Sequence, residues 1–273
     1  MTEAAVPLEF ALNHMSVPGM TWRELVHLAR QVGCSGIELR SDLEEPLFGS
    51  DSPENVGNIA DRENLRIHAL AEVPRFNDAT SEVLISTTAL AEKAQRSGTS
   101  SIVLIPRIGG EPATDDTLCQ ALDKIGTILE TAGIRGLIEP IGFANSSLRD
   151  FDQARRAIDA THGYGRFGLV HDTFHHFLIG SGAASAQYVD VVHVSGVTVD
   201  KPNNEITDAD RVFVDAADCL GTVDQLAELV RDGYRGPVSM EAFSPQVHSL
   251  PDPAPTLRTS FDHIRSSLMP LAA

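Results

Sequence analysis

Three carboxylates and three imidazoles in the second half of the chain stand where chemistry could be done. Asp172, His175 and His176 lie in Val170-His171-Asp172-Thr173-Phe174-His175-His176, at the end of an apolar run that starts at Phe167. Glu139 ends Gly136-Leu137-Ile138-Glu139, just before Pro140. His193 sits in Val191-Val192-His193-Val194, and Glu241 ends Pro237-Val238-Ser239-Met240-Glu241. Each short apolar run reads as a buried strand, and each carries a metal-capable side chain near its C-terminal end, where a loop is expected to follow. Three carboxylates brought together repel one another and raise each other's pKa, a conflict that a divalent cation removes. Three oxygen donors and one nitrogen donor suit a hard or borderline ion: Mn²⁺ first, with Mg²⁺, Co²⁺ and Zn²⁺ also compatible.

Taken singly, each of these residues has a bland reading. Asp172 is a natural helix cap, Glu139 and Glu241 are natural arginine partners, and His193 is a natural hydrogen-bonded core histidine. Their recurrence at one position in consecutive strands favours a metal centre made of Glu139, Asp172, His193 and Glu241. His175 follows Asp172 at a spacing that can turn both side chains inward, and it is a candidate catalytic residue, for binding a substrate oxygen or stabilising an enediolate. Arg211, in the polar stretch after Val194, and Arg107, after Ile105, offer planar donor forks for substrate oxygens. Asn13, at the end of the first apolar run, is a further candidate contact. His14, His68 and Glu72 occupy or approach other strand ends, but each alone is a weak signal. Nucleophilic signatures such as G-x-S-x-G are missing, HDTFHH is not a zincin motif, and no Gly-rich phosphate loop follows the first strand.

The elements that must position these groups alternate along the chain. Strands are expected over Leu8–Leu12, Ile37–Arg40, Leu65–Val73, Ser101–Ile105, Gly136–Glu139, Phe167–His171, Val189–Val194 and Val238–Glu241. Helical spacing fits Trp22–Val32, Pro53–Glu63, Ser81–Arg96, Asp116–Ala132, Asp150–Ala160, Thr222–Asp232 and Leu257–Leu268. Thr21 and Glu24 form a capping-box pattern ahead of the first helix. A short Ala-rich segment, residues 182–188, precedes the seventh strand. Residues 195–220 form a long polar stretch, and 245–255 a Pro-rich loop. Strand–helix alternation without a break in composition predicts an α/β fold, a single-domain (β/α)₈ TIM barrel with its active site at the C-terminal ends of the strands. An open doubly wound sheet is the runner-up.

Composition narrows the function. The net charge of −17 would repel a phosphate backbone or an anionic membrane surface, so neither nucleic acid nor membrane is an expected partner. No apolar run approaches the roughly 18 residues of a membrane span, and residues 1–10 lack the pattern of a signal peptide. The three cysteines, Cys34, Cys119 and Cys219, are scattered and odd in number, which fits a reducing cytoplasm.

Over most of its length the chain resembles the xylose-isomerase-like TIM barrel group of sugar isomerases, ketose 3-epimerases and endonuclease IV type nucleases. The resemblance rests on Leu137-Ile138-Glu139-Pro140, on Val170 to His175, on His193-Val194-Ser195-Gly196 and on Ser239-Met240-Glu241-Ala242-Phe243. Thr207-Asp208-Ala209-Asp210-Arg211-Val212 narrows it towards the inosose (2-keto-myo-inositol) isomerases of inositol catabolism. The resemblance implies one divalent metal on Glu139, Asp172, His193 and Glu241. It implies Glu139 and Glu241 as proton-transfer groups flanking the substrate, His175 and Arg211 as substrate contacts, and a homo-oligomer. The expected activity is metal-dependent isomerisation of a cyclic keto-polyol through an enediolate. The rivals are a ketose 3-epimerase, a lyase that eliminates the aglycone of a 3-keto sugar glycoside, and a non-catalytic sugar-binding barrel.

Overall fold

Thr21 starts the first helix by accepting from Glu24 N while the Glu24 carboxylate accepts from Thr21 N, closing the predicted capping box. Similar punctuation recurs around the molecule. Ser52, Thr80, Thr114 and Asp150 each cap a helix with a side-chain oxygen, and Gly133 ends one in the left-handed region. The structure, a computed structural model, describes residues 8–180 and 185–268. Part of the Ala-rich segment and the first seven residues of the stretch read for a signal peptide lie outside those residues.

The strands are β1 (Glu9–Asn13), β2 (Gly36–Arg40), β3 (Arg66–Pro74), β4 (Ser101–Ile105), β5 (Arg135–Ile138), β6 (Phe167–Asp172), β7 (Val189–Val194) and β8 (Pro237–Met240). They pair in parallel and in sequence order, and β8 returns to β1, closing the barrel. The helices are α1 (Trp22–Gln31), α2 (Pro53–Arg62), α3 (Ser81–Arg96), α4 (Asp115–Ala132), α5 (Phe151–Ala160), α6 (Thr173–Ile179), α7 (Thr222–Arg231), α8 (Pro245–His248) and α9 (Ala254–Leu268). No described helix is long and apolar enough to cross a membrane.

Alternation along each strand divides the core in two. Outward side chains such as Leu12, Ile37, Leu39, Ile102, Leu104, Leu169 and Val192 pack against the helices in one large cluster. Inward side chains Ala69, Ala71, Val103, Leu137, Val170 and Val191 form a separate plug. This plug fills the lower barrel, so the polar inward residues one step further along the strands are gathered above it.

Three local expectations are revised. The chain after Asp172 is not a loop: α6 begins at once, because the Asp172 carboxylate accepts from Phe174 N and His175 N and supplies the cap itself. The strands β5 and β8 stop one residue before Glu139 and Glu241, whose backbones still hydrogen-bond to the neighbouring strand at Leu104 O and Val194 O. The Pro-rich stretch contains α8, started by Ser244 and Pro245.

Candidate metal centre and active site

The barrel register places Asp172 opposite His193, and His193 opposite Ser239, two residues before Glu241. Glu139 enters from the end of β5. Ligand atoms of Glu139, Asp172, His193 and Glu241 all lie within 4.8 Å of one another, and all four residues are buried. Among the described residues this is the one such cluster. His193 Nδ1 is 3.2 Å from Glu241 Oε2 and 3.6 Å from Glu139 Oε1, yet it makes no hydrogen bond. A buried imidazole nitrogen without a partner, ringed by three carboxylates, is the donor set expected of a divalent-cation site, so the residues fit the cation that the sequence calls for.

The cluster is held by two buried guanidiniums. Arg211 Nη2 donates to Asp172 Oδ2 at 2.6 Å and to Glu241 Oε2 at 3.0 Å, and its other donors reach Ser195 Oγ and Asp208 Oδ1. Its guanidinium lies over the rings of Phe174 and Phe243, at 4.9 and 4.4 Å from their centroids. On the opposite side, Arg40 Nη1 donates to Glu241 Oε1 at 2.9 Å, while its remaining donors bind Asp42 and Glu72. Each oxygen of Glu241 therefore takes an arginine. Burial works against its ionisation, but His193, Arg211 and Arg40 hold its pKa well below the usual range. Glu139 lacks such partners, and burial, reinforced by Glu241 and Asp172 against His193, pushes it up to about 7. For His193, burial disfavours the proton, but Glu241, Glu38 and Glu139 outweigh it and raise the pKa well above the ordinary value. A cation would add its own charge to this balance.

The other expected site residues divide. His175 is buried beside the cluster, its ring edge-on to Phe143 and Phe174 and its Nδ1 without a partner in the protein. Asn13 is fully buried at the end of β1; its Oδ1 accepts from Met15 N and its Nδ2 has no partner. Both therefore keep a free polar atom at the strand ends. Arg107 does not join them. Its donors go to Asp78 Oδ1 and to the carbonyls of Gly109 and Glu111, which brace the loop after β4. Glu72 approaches the site through Arg40, and His14 Nε2 donates to Met20 O at 2.8 Å. His176 leans against His171 outside the barrel, consistent with a structural place.

Sequence reading missed Glu38 and Arg40. The available signal was in Gly36-Ile37-Glu38-Leu39-Arg40: in a strand buried on both faces, two charges at alternate positions mark a polar inward face.

Two predictions arise from this geometry. Gly142, just past β5, lies so close to α6 that an added Cβ would stand 2.3 Å from the His175 carbonyl oxygen and 2.9 Å from Leu178 Cβ. Gly142→Ala is expected to cost about 1–3 kcal/mol in unfolding free energy and to lower activity by displacing His175; unchanged urea denaturation would refute this close packing. The second concerns Glu72. Burial pushes its carboxyl up to about 7, with Arg40 opposing and Asp42, Glu139 and Glu241 adding. A carboxyl raised on folding stabilises the native state at low pH. That contribution is lost as pH climbs from the ordinary carboxyl value of 4.5 through 7, up to about 3 kcal/mol in all. The unfolding free energy of wild type minus that of Glu72→Gln should therefore fall between pH 5 and 8. Parallel curves would count against it.

Comparison with known proteins agrees with this architecture. The xylose isomerase-like TIM barrel family model matches residues 26–267. An inosose isomerase from Halalkalibacterium halodurans is 26% identical over 179 residues, 62% of each chain, so the match spans less than two thirds of that relative. An inosose isomerase from Bacillus velezensis is 25% identical over 246 residues, 82% of this chain and 84% of the relative. Among solved structures, a xylose isomerase domain containing protein from Salmonella typhimurium LT2 has a TM-score of 0.89 at 27% identity, covering 96% of this chain and 97% of that one. The IolI protein with a bound zinc atom has a TM-score of 0.84 at 20% identity, covering 97% and 99%. With the closed eight-stranded barrel, the buried cluster at its strand ends and a family match over most of the sequence, the chain belongs to the xylose isomerase-like TIM barrel family.

Proposed function

We propose that this protein is a metal-dependent isomerase of a cyclic keto-polyol, an inosose (2-keto-myo-inositol) isomerase in its substrate class. The observation that carries the reading is the pair of buried glutamates, Glu139 and Glu241, in one cluster with Asp172 and His193. The two relatives named inosose isomerase support the substrate class. A divalent cation on these four side chains, with Mn²⁺ the first choice and Zn²⁺, Mg²⁺ or Co²⁺ as alternatives, would supply Lewis-acid polarisation of a substrate carbonyl. One glutamate removes the proton from the hydroxyl-bearing carbon beside the ketone, and the electron pair moves to the carbonyl oxygen to give an enediolate. A proton delivered to the former carbonyl carbon, with the neighbouring hydroxyl's proton passing to the former carbonyl oxygen, then leaves a hydroxyl there and the ketone at the neighbouring position. Glu139 is the freer acceptor, because both oxygens of Glu241 are taken by Arg40 and Arg211. His175 Nδ1 and Asn13 Nδ2, buried and unpartnered, are suited to substrate hydroxyls. Phe143, Phe174 and Phe243 surround His175 and Arg211 with apolar surface that keeps water away. Unpaired cysteines, with the buried Cys34 thiol pushed up to about 12 by burial, fit a cytoplasmic setting.

The test is proton NMR of 2-keto-myo-inositol in D₂O with metal-loaded protein, against chelated protein and Glu241→Gln. Metal-dependent appearance of a second inosose supports the reading. Inversion at the carbon next to an unmoved ketone would replace it with an epimerase. An unchanged spectrum with metal demonstrably bound would sink the inosose assignment.

A further inference from the structure

Glu38 is a carboxylate that neither the cluster nor the proton transfer uses. It projects inward from β2, is fully buried, and lies across the barrel from β7. There His193 Nε2 lies within hydrogen-bond distance of both its oxygens, at 3.1 and 3.2 Å. The neighbouring inward positions are small: Ala69 pairs with Glu38 in the register of β3, Ala71 follows, and Ser239 pairs with His193. That leaves room for a glutamate to span the interior. The other imidazole nitrogen, Nδ1, is the one that faces Glu139 and Glu241 without a hydrogen bond.

Stability alone gives little reason for this arrangement. A buried carboxylate–imidazole pair can often be replaced by apolar side chains at no loss, because desolvation offsets the attraction. A hydrogen bond to one imidazole nitrogen, however, decides which nitrogen keeps its hydrogen and how the ring is turned. We infer that Glu38 is the positioning residue of the metal centre: by accepting from Nε2–H it commits His193 to presenting a bare Nδ1 to the cation. The inference rests on the reading that the cluster holds a cation. It adds a residue from the far side of the barrel and names the ligating atom.

Calorimetric titration of the metal-free protein with Zn²⁺ and Mn²⁺ tests it, using wild type, Glu38→Gln and Glu38→Asp. Glu38→Gln keeps an acceptor oxygen but loses the charge, and Glu38→Asp keeps the charge but withdraws it by one methylene. Each variant is expected to bind the ions about 10- to 100-fold more weakly. In wild type loaded with Zn²⁺, long-range ¹H–¹⁵N spectra of the histidines, with His193 assigned by its loss in His193→Asn, should show Nε2 protonated and Nδ1 metal-bound. A Kd within twofold of wild type in folded variants, or a spectrum with Nε2 on the metal, overturns the inference. A variant that fails to fold leaves the wild-type spectrum to decide. If wild type binds neither ion, the cation reading falls first and this inference falls with it.

Discussion

Glu139→Gln is expected to lower turnover of the keto-polyol by roughly 10²- to 10⁴-fold, the range for loss of a positioned proton-transfer group. The substitution is nearly isosteric and leaves an oxygen facing the cluster, so the fold should survive. Glu139 holds neither arginine, so little of the ion-pair network depends on it. Glu241→Gln should be at least as damaging for a different reason. On the proposed mechanism it removes a proton-transfer group and, with the same atoms, the anion that accepts from Arg40 and Arg211. The double variant should be scarcely slower than the worse single one, because residues that act as a unit are not additive. Steady-state kinetics with the metal content of each variant measured alongside would decide. Glu139→Gln keeping more than a tenth of wild-type turnover with metal bound would remove it from the mechanism.

The second large effect is expected at Arg211. Only 1% of this residue is exposed, and it neutralises both Asp172 and Glu241. Arg211→Met strips two buried carboxylates of a partner, a change that typically costs about 3–5 kcal/mol. Arg211→Lys should recover part of this but not all, since an ammonium cannot bridge two carboxylates and Ser195 from one plane. Nor can it stack as well between Phe174 and Phe243. A divalent cation held by the cluster would compensate the same charges as Arg211. The loss measured by chemical denaturation should therefore be largest with chelator present and smaller with saturating Mn²⁺. Equal losses in the two conditions would mean that metal and arginine do not share those carboxylates.

How much of this was legible in the chain can be judged residue by residue. Glu139, Asp172, His193 and Glu241 were recognisable because they recur at one place in consecutive strands. The eight-fold alternation says those strand ends adjoin in a closed barrel, so local pattern and global topology point to the same arc. Asp172 shows the limit of a single-role reading: one oxygen caps α6 while the other faces Arg211. Arg107 and Arg211 looked alike as loop arginines. Their difference arises only from what the folded loops bring near: Asp78 for the first, two cluster carboxylates and two aromatic rings for the second.

By itself, then, the sequence determined the barrel and the four clustered side chains, since both follow from hydrophobic period and strand-end chemistry, which are local properties. Only the tertiary structure decided the places of Glu38 and Arg40. They are 155 and 201 residues away in the chain from their partners His193 and Glu241. Side chains at such separation meet because closing the barrel turns every inward position towards one axis, and no local period records which of them will touch across it.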